Sequence, residues 1–153
     1  MTPFDYSFTV KAPVSAVSRF HHDPGVLKKL MPPPLFIQIH YFEPLAEGAK
    51  ASFTLWFGPF PIHWEAVHTN VSPRGFTDTQ MRGPLKQWQH HHRFTAVSAN
   101  VARVSDHVKY EHHGGWRGLL TRLLFNPPAL YLLFTGRKWL TRWHVWRAVA
   151  KSR

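Results

Sequence analysis

Apolar and polar residues alternate at the start of the chain: Phe4, Tyr6, Phe8 and Val10 fall two apart and predict a strand over Phe4–Lys11. The period then lengthens. Val14, Val17 and Phe20 fall three apart and predict a short helix over Val14–Phe20, with Pro13 suited to its first turn. Asp23-Pro24-Gly25 opens a second short helix over Val26–Leu30, and Met31-Pro32-Pro33-Pro34 ends it in a stiff extended link. Strand patterns follow over Leu35–Phe42, Ala49–Phe57, Ile62–Val71, Phe76–Arg82, Trp88–Phe94 and Val101–Tyr110, each closed by Gly, Pro, Asn or Ser turn signals. Trp116–Phe125 reads as a short helical or irregular apolar piece. Asn126-Pro127-Pro128 is a helix start, with Asn as cap and Pro in the first turn, for a helix reaching about Ala150. On that helix the expected inward stripe is Leu132, Gly136, Trp139, Trp143, Trp146 and Ala150, leaving Arg137, Arg142, Arg147 and Lys151 to solvent or to anions.

The order is one strand, two short helices, six consecutive strands and a long helix. It predicts an α+β fold: a curved antiparallel sheet of about seven strands with the C-terminal helix laid over one face, as a single domain over 1–153. A helix crossing a bent sheet commonly leaves a cavity between them.

The stretch Gly75–Phe94 carries the most information. Within it Phe76, Asp78, Gln80 and Arg82 share one strand face, and Trp88, His90, His92 and Phe94 share the corresponding face of the next strand. A hairpin folded symmetrically about Leu85 sets Phe76 against Phe94, Asp78 against His92, Gln80 against His90 and Arg82 against Trp88; Arg82 has Glu65 as an alternative partner. Extended to the last strand, the register sets His92 against Asp106 and Trp88 against Tyr110. One face thus mixes large aromatics with a lateral Asp78, His92, Asp106 cluster, which suits a pocket that orients a ligand.

Composition narrows the classes. The chain has 153 residues, 44% apolar and 18% charged, which fits a globular domain with a real core. It has no cysteine, which excludes disulfides, thiolate metal sites and a cysteine nucleophile, and which fits a reducing compartment. No signal peptide and no membrane span is read, so a cytoplasmic location is expected. The net charge of +11 points to an anionic partner or a basic solvated surface.

The element order resembles the SRPBCC superfamily, also called START-like or Bet v 1-like, over nearly the whole chain. So do Ala12-Pro13-Val14, Leu27–Pro33, Glu47-Gly48-Ala49, Gly58-Pro59 with Trp64, Gly75–Gln80, Gly83-Pro84, Trp88-x-His90-x-His92-x-Phe94 and Asp106-x-Val108-x-Tyr110. The similarity is greatest to small bacterial single-domain members described as ligand-binding or cyclase/dehydrase-like. The resemblance implies a helix-grip fold with a hydrophobic cavity between the sheet and the last helix. Relatives bind lipids, sterols, polyketides, quinones or plant hormones, and some are polyketide cyclases or aromatases.

The expected function is non-covalent binding of a small hydrophobic or amphipathic ligand. Walls are assigned to Phe53, Leu55, Phe76, Trp88, Phe94, Val108, Tyr110, Trp139 and Trp143, with Asp78, Gln80, His90, His92 and Asp106 orienting polar atoms or holding the sheet. The enzymatic alternative is a cyclase/dehydratase-like activity using His92 with Asp78 or Asp106 as general acid and base. A third is a lipid or quinone carrier that docks on anionic membranes. No phosphate loop, dinucleotide fingerprint or nucleophile elbow is present, so no cofactor is expected. His90 and His92 with Asp78 or Asp106 have metal-ligand chemistry, but a hydrogen-bonded ladder within the sheet is the preferred reading and no metal is assigned. His21-His22 and His112-His113 are expected to face solvent. Nucleic acid is not expected, because the aromatic sheet face is covered by the helix.

Overall fold

A computed structural model describes residues Met1–Arg153. The strands are β1 (Thr2–Val10), β2 (Phe36–Phe42), β3 (Lys50–Phe57), β4 (Phe60–Ser72), β5 (Gly75–Arg82), β6 (Gln87–Ser98) and β7 (Val101–Glu111). The helices are α1 (Val14–His22), α2 (Val26–Lys29), α3 (Leu119–Leu124), which follows a 3₁₀ turn at Gly115–Gly118, and α4 (Pro127–Lys151). The seven strands form one antiparallel sheet in the order β1-β7-β6-β5-β4-β3-β2: an up-and-down meander from β2 to β7, with β1 added beside β7. This is the expected curved-sheet, helix-grip architecture.

The alternation read from β1 holds, with Tyr6, Phe8 and Val10 buried and their neighbours exposed. The same period buries Trp88, His90, His92 and Phe94 on β6 and Ala102, Val104, Asp106, Val108 and Tyr110 on β7. Asn126 caps α4, its side-chain oxygen accepting from the Ala129 amide at 2.9 Å with Pro127 in the first turn.

Three expectations are corrected. The β5–β6 hairpin is symmetric about Pro84, not Leu85: Gly75 faces Arg93, Phe76 faces His92, Asp78 faces His90 and Thr79 faces Gln89. The ladder ends there because Gln80 turns into the loop, donating to the Leu85 carbonyl at 2.7 Å while Leu85 plugs the core. A shift of two residues leaves every side chain on its expected face. Arg82 is exposed and lies 4.0 Å from Glu65, so it does not stack on Trp88.

The second correction concerns α4. Its buried residues are Leu130, Phe134, Thr141 and Val145, whereas Leu132, Trp139, Trp143 and Trp146 are 74%, 60%, 51% and 62% exposed. Trp139 and Trp143 therefore do not wall the cavity. Gly136 lets α4 approach the proline link after α2, since a Cβ there would lie 2.8 Å from Pro32 Cβ. The third concerns histidines. His21 is buried and His22 half-buried, both facing inward, and half-buried His112 hydrogen-bonds Thr121 at 2.9 Å.

Candidate functional site

A cavity of about 120 Å³, partly open to solvent, lies between the sheet, the α1–α2 segment and α4. Its apolar walls include Leu27, Leu30, Phe42, Phe53, Trp64 and Leu133. Trp64 meets Trp88 edge to face at 5.5 Å, and Phe125 packs against both rings. The other wall is ionic and combines His21, His68, Asp78, His90, His92 and Arg137.

The strands place this ionic wall. Period two sets His90 and His92 side by side on β6, with ring centroids 3.8 Å apart, and the β6–β7 register sets Asp106 opposite His92 as expected. Asp78 enters from β5 and His68 faces it from β4. Gly75 starts β5 at φ +147°, where a Cβ would lie 1.9 Å from the His92 carbonyl oxygen; only glycine lets β5 lie this close to the His92 backbone.

The polar groups form a chain. His92 Nε2 donates to Asp78 at 2.9 Å, and His90 Nε2 donates to Asp106 at 2.9 Å. His92 Nδ1 lies 3.1 Å from the same Asp106 oxygen, and His68 Nε2 lies 3.0 Å from the second Asp78 oxygen. These last two are charge contacts whose N–H directions fall off the acceptor, so His92 Nδ1 and Asp78 Oδ1 have no aligned hydrogen bond. His68 Nδ1 also donates to the Ala49 carbonyl at 3.1 Å, and His21 Nδ1 donates to the Val17 carbonyl at 2.8 Å.

The charges follow from this geometry. Burial opposes the charged form of His92, but the bonds and charges of Asp106 and Asp78 prevail and raise its pKa to about 9. Burial likewise opposes His68, which Asp78 raises above the ordinary histidine value. Burial, reinforced by the His92 charge, pushes His90 down to about 4, and burial pushes His21 down to about 4. Burial would raise both carboxyls, yet His68 and His92 hold Asp78, and His90 and His92 hold Asp106, well below the usual carboxylate range. Asp78 keeps 26% of its side chain accessible because the cavity reaches it, so its ion pairs are worth less than burial behind closed walls would give. At neutral pH the network contains two carboxylates, imidazolium at His92, and neutral His90 and His21, while Asp78 favours the protonated form of His68.

Of the residues assigned from sequence, Phe53, Leu55, Phe76, Asp78, Trp88, His90 and His92 line the cavity. Phe94, Val108 and Tyr110 are buried in the core and do not line it, and Asp106 stands behind His90 and His92 as their acceptor. Gln80 holds the hairpin loop instead. The cavity residues missed include His21, His68 and Arg137 on the polar side and Leu27, Trp64 and Leu133 on the apolar side. His68 has a sequence signal, since it follows Trp64 and Ala66 at period two. Asp78, His90 and His92 each offer an atom within 4.8 Å of the others, a spacing compatible with a metal, but the His92 and Asp78 atoms already bond each other.

No protein-family model and no curated protein matches this sequence. Solved structures do. The chain is similar to the Zhui aromatase/cyclase from a Streptomyces species at TM-score 0.77 and 15% identity, covering 97% of this chain and 95% of that one. A protein of Chromobacterium violaceum matches at TM-score 0.75 and 14% identity, covering 95% and 98% of the two chains. Norcoclaurine synthase from Thalictrum flavum, in complex with dopamine and hydroxybenzaldehyde, matches at TM-score 0.66 and 13% identity, covering 91% and 86%. Six meandering strands with β1 beside the last, a pair of short helices after the first strand and a long closing helix give this chain the Bet v 1-like helix-grip fold.

Proposed function

We propose that this protein binds a small hydrophobic or amphipathic molecule, non-covalently, in the cavity between its sheet and α4. The observation that carries this reading is the two-sided cavity, apolar and aromatic on one wall and ionic on the other. Its volume of about 120 Å³ resembles the roughly 150 Å³ engineered cavity that holds a benzene ring. A single ring or a short chain suits it better than a diacyl lipid.

Binding is preferred to turnover on electrostatic grounds. A histidine held as imidazolium between two carboxylates gives up a proton reluctantly and accepts none, so His92 lacks the free base of a cyclase-like mechanism. The enzymatic version of the reading would use His92 as a general acid. Native mass spectrometry of freshly purified protein tests binding directly. A defined extra mass that leaves on denaturation is expected, and organic extraction would identify it. A clean apo mass that also fails to shift with added amphiphiles would defeat the reading.

A second reading, carriage of the ligand to and from an anionic bilayer, is favoured by the outer surface of α3 and α4. Trp116, Leu119, Leu123, Leu132, Trp139 and Trp146 are exposed there. Lys138 and Arg142 lie over the Trp139 ring at 5.2 Å, and Arg147 over Trp143 at 5.4 Å. No acidic residue follows Glu111. Apolar rings interleaved with unopposed cations complement the acyl boundary and the headgroups of an anionic membrane. No helix is long and apolar enough to cross one, so the contact is peripheral as far as helices are concerned.

A further inference from the structure

Among the basic side chains of the C-terminal region, Arg137 lies on the inward stripe of α4 between Phe134 and Thr141 and lines the cavity. Its guanidinium has no carboxylate within 4.0 Å and makes no hydrogen bond, and its Nε is buried without an acceptor. Its one specific neighbour is the Phe134 ring, 5.5 Å away. A guanidinium offers five donors in a planar fork; in the part-buried Arg137, Nε is shut off from water without an acceptor, which is costly, while the terminal nitrogens keep accessible surface.

The nearby carboxylates do not relieve it. Asp78 is engaged by His68 and His92, and Asp106 by His90 and His92. The Arg137 guanidinium therefore carries its charge on the cavity wall without an ion-pair partner of its own. Burial disfavours this charge, and the fields of Asp106 and Asp78 offset that only in part. Most of the cavity lining is apolar.

We propose that Arg137 binds the head of a ligand carrying a single oxyanion, a carboxylate or a phosphate monoester, on a short apolar body. The proposal rests on the cavity-binding reading above and specifies its ligand class. The planar fork can pair two oxygens of such a head at once, while the body lies against Leu133, Phe53 and Trp64. The ionic network behind it fixes that wall and keeps Asp78 and Asp106 from competing for the guanidinium.

The test uses the intact protein and three probes with one tail, octanoate, octyl phosphate and 1-octanol, titrated by calorimetry. Wild type is expected to bind at least one anion about tenfold or more tighter than octanol, as befits a hydrogen bond to charged groups. The stronger anion identifies the head. Arg137→Met should abolish that preference while leaving octanol affinity within about twofold, and Arg137→Lys should restore part of it. The apparent Tm of Arg137→Met should not fall, because no hydrogen bond or ion pair is lost and an Nε buried without an acceptor is removed. Equal binding of all three probes by wild type would overturn the oxyanion proposal and leave the apolar cavity standing. An unchanged anion preference in Arg137→Met, or a clear drop in its Tm, would assign Arg137 a structural role instead. Binding of none of the probes would count against both this proposal and the cavity reading beneath it.

Discussion

On α4, Leu130, Phe134, Arg137, Thr141 and Val145 turn inward, while Leu132, Trp139, Trp143 and Trp146 turn outward. The two stripes share a spacing of three and four residues and lie two positions apart, about 200° around the helix. The outward stripe is the more aromatic one. It stays outside because the sheet beneath α4 already presents Phe4, Tyr6 and His90, which pack on the inward Phe134 ring. A helix facing such a wall must bring smaller side chains, as Thr141 and Val145 do, to reach native packing density. Amphipathicity therefore placed the helix but not its rotation, which depends on the volume of the opposing surface.

Substitutions should separate the two faces most strongly in stability. Phe134→Ala removes a fully buried ring that touches Phe4, Tyr6 and His90, and should cost about 3–5 kcal/mol in denaturant unfolding. Trp143→Ala should stay within about 0.5 kcal/mol of wild type. A comparable loss in both variants would mean that the outer stripe is covered in solution.

The ionic wall behind the inward face should respond to pH. His92 has a folded pKa of about 9 against an unfolded value near 6.5. Its contribution is complete below 6.5 and is lost as pH rises through 9, by at most about 3 kcal/mol. His21 and His90, held at about 4, act in the opposite direction: stability falls as pH drops from 6.5 toward 4, where the unfolded chain binds protons that the native state does not. Asp78 and Asp106 extend that acid loss below the unfolded carboxyl pKa. Unfolding free energies measured across pH should peak near 6.5, and His92→Gln should flatten the alkaline limb. A profile that keeps rising to pH 9 would show that His92 is not the imidazolium described.

The smallest expected change in stability comes with a large change in adsorption. The triple variant Trp139→Ala, Trp143→Ala, Trp146→Ala should unfold within about 1 kcal/mol of wild type. It should nevertheless lose flotation with vesicles of 70% phosphatidylcholine and 30% phosphatidylglycerol. Wild type should float with those vesicles, less so in high salt, and remain in solution with pure phosphatidylcholine. Equal flotation of variant and wild type would remove the membrane role from this surface.

The fold was legible because β1, β4, β6 and β7 carry period-two burial and almost every turn has its Gly, Pro, Asn or Ser. The β6–β7 register was legible too, because His92 and Asp106 pair across a short turn. The β5–β6 register was misplaced by two residues, since nothing local to Gly83–Lys86 announces that Gln80 will leave the ladder to bind the Leu85 carbonyl. Within the site, Asp78, His90 and His92 stood out because polar groups on an aromatic strand face need partners. His21 and Arg137 did not. Each is a polar residue on a helix whose inward direction is fixed only by long-range packing, and a basic residue on an amphipathic helix is ordinarily assigned to solvent.

The placement of the indoles gives the molecule a built-in optical readout. Trp64 and Trp88 line the cavity edge to face, while Trp116, Trp139, Trp143 and Trp146 stand in water. Buried indoles emit toward the blue and hydrated ones toward the red. Filling the cavity should therefore perturb the short-wavelength side of the intrinsic fluorescence, and adsorption to a bilayer should move the long-wavelength side. Two events at opposite faces of one helix would then be followed separately, without a label.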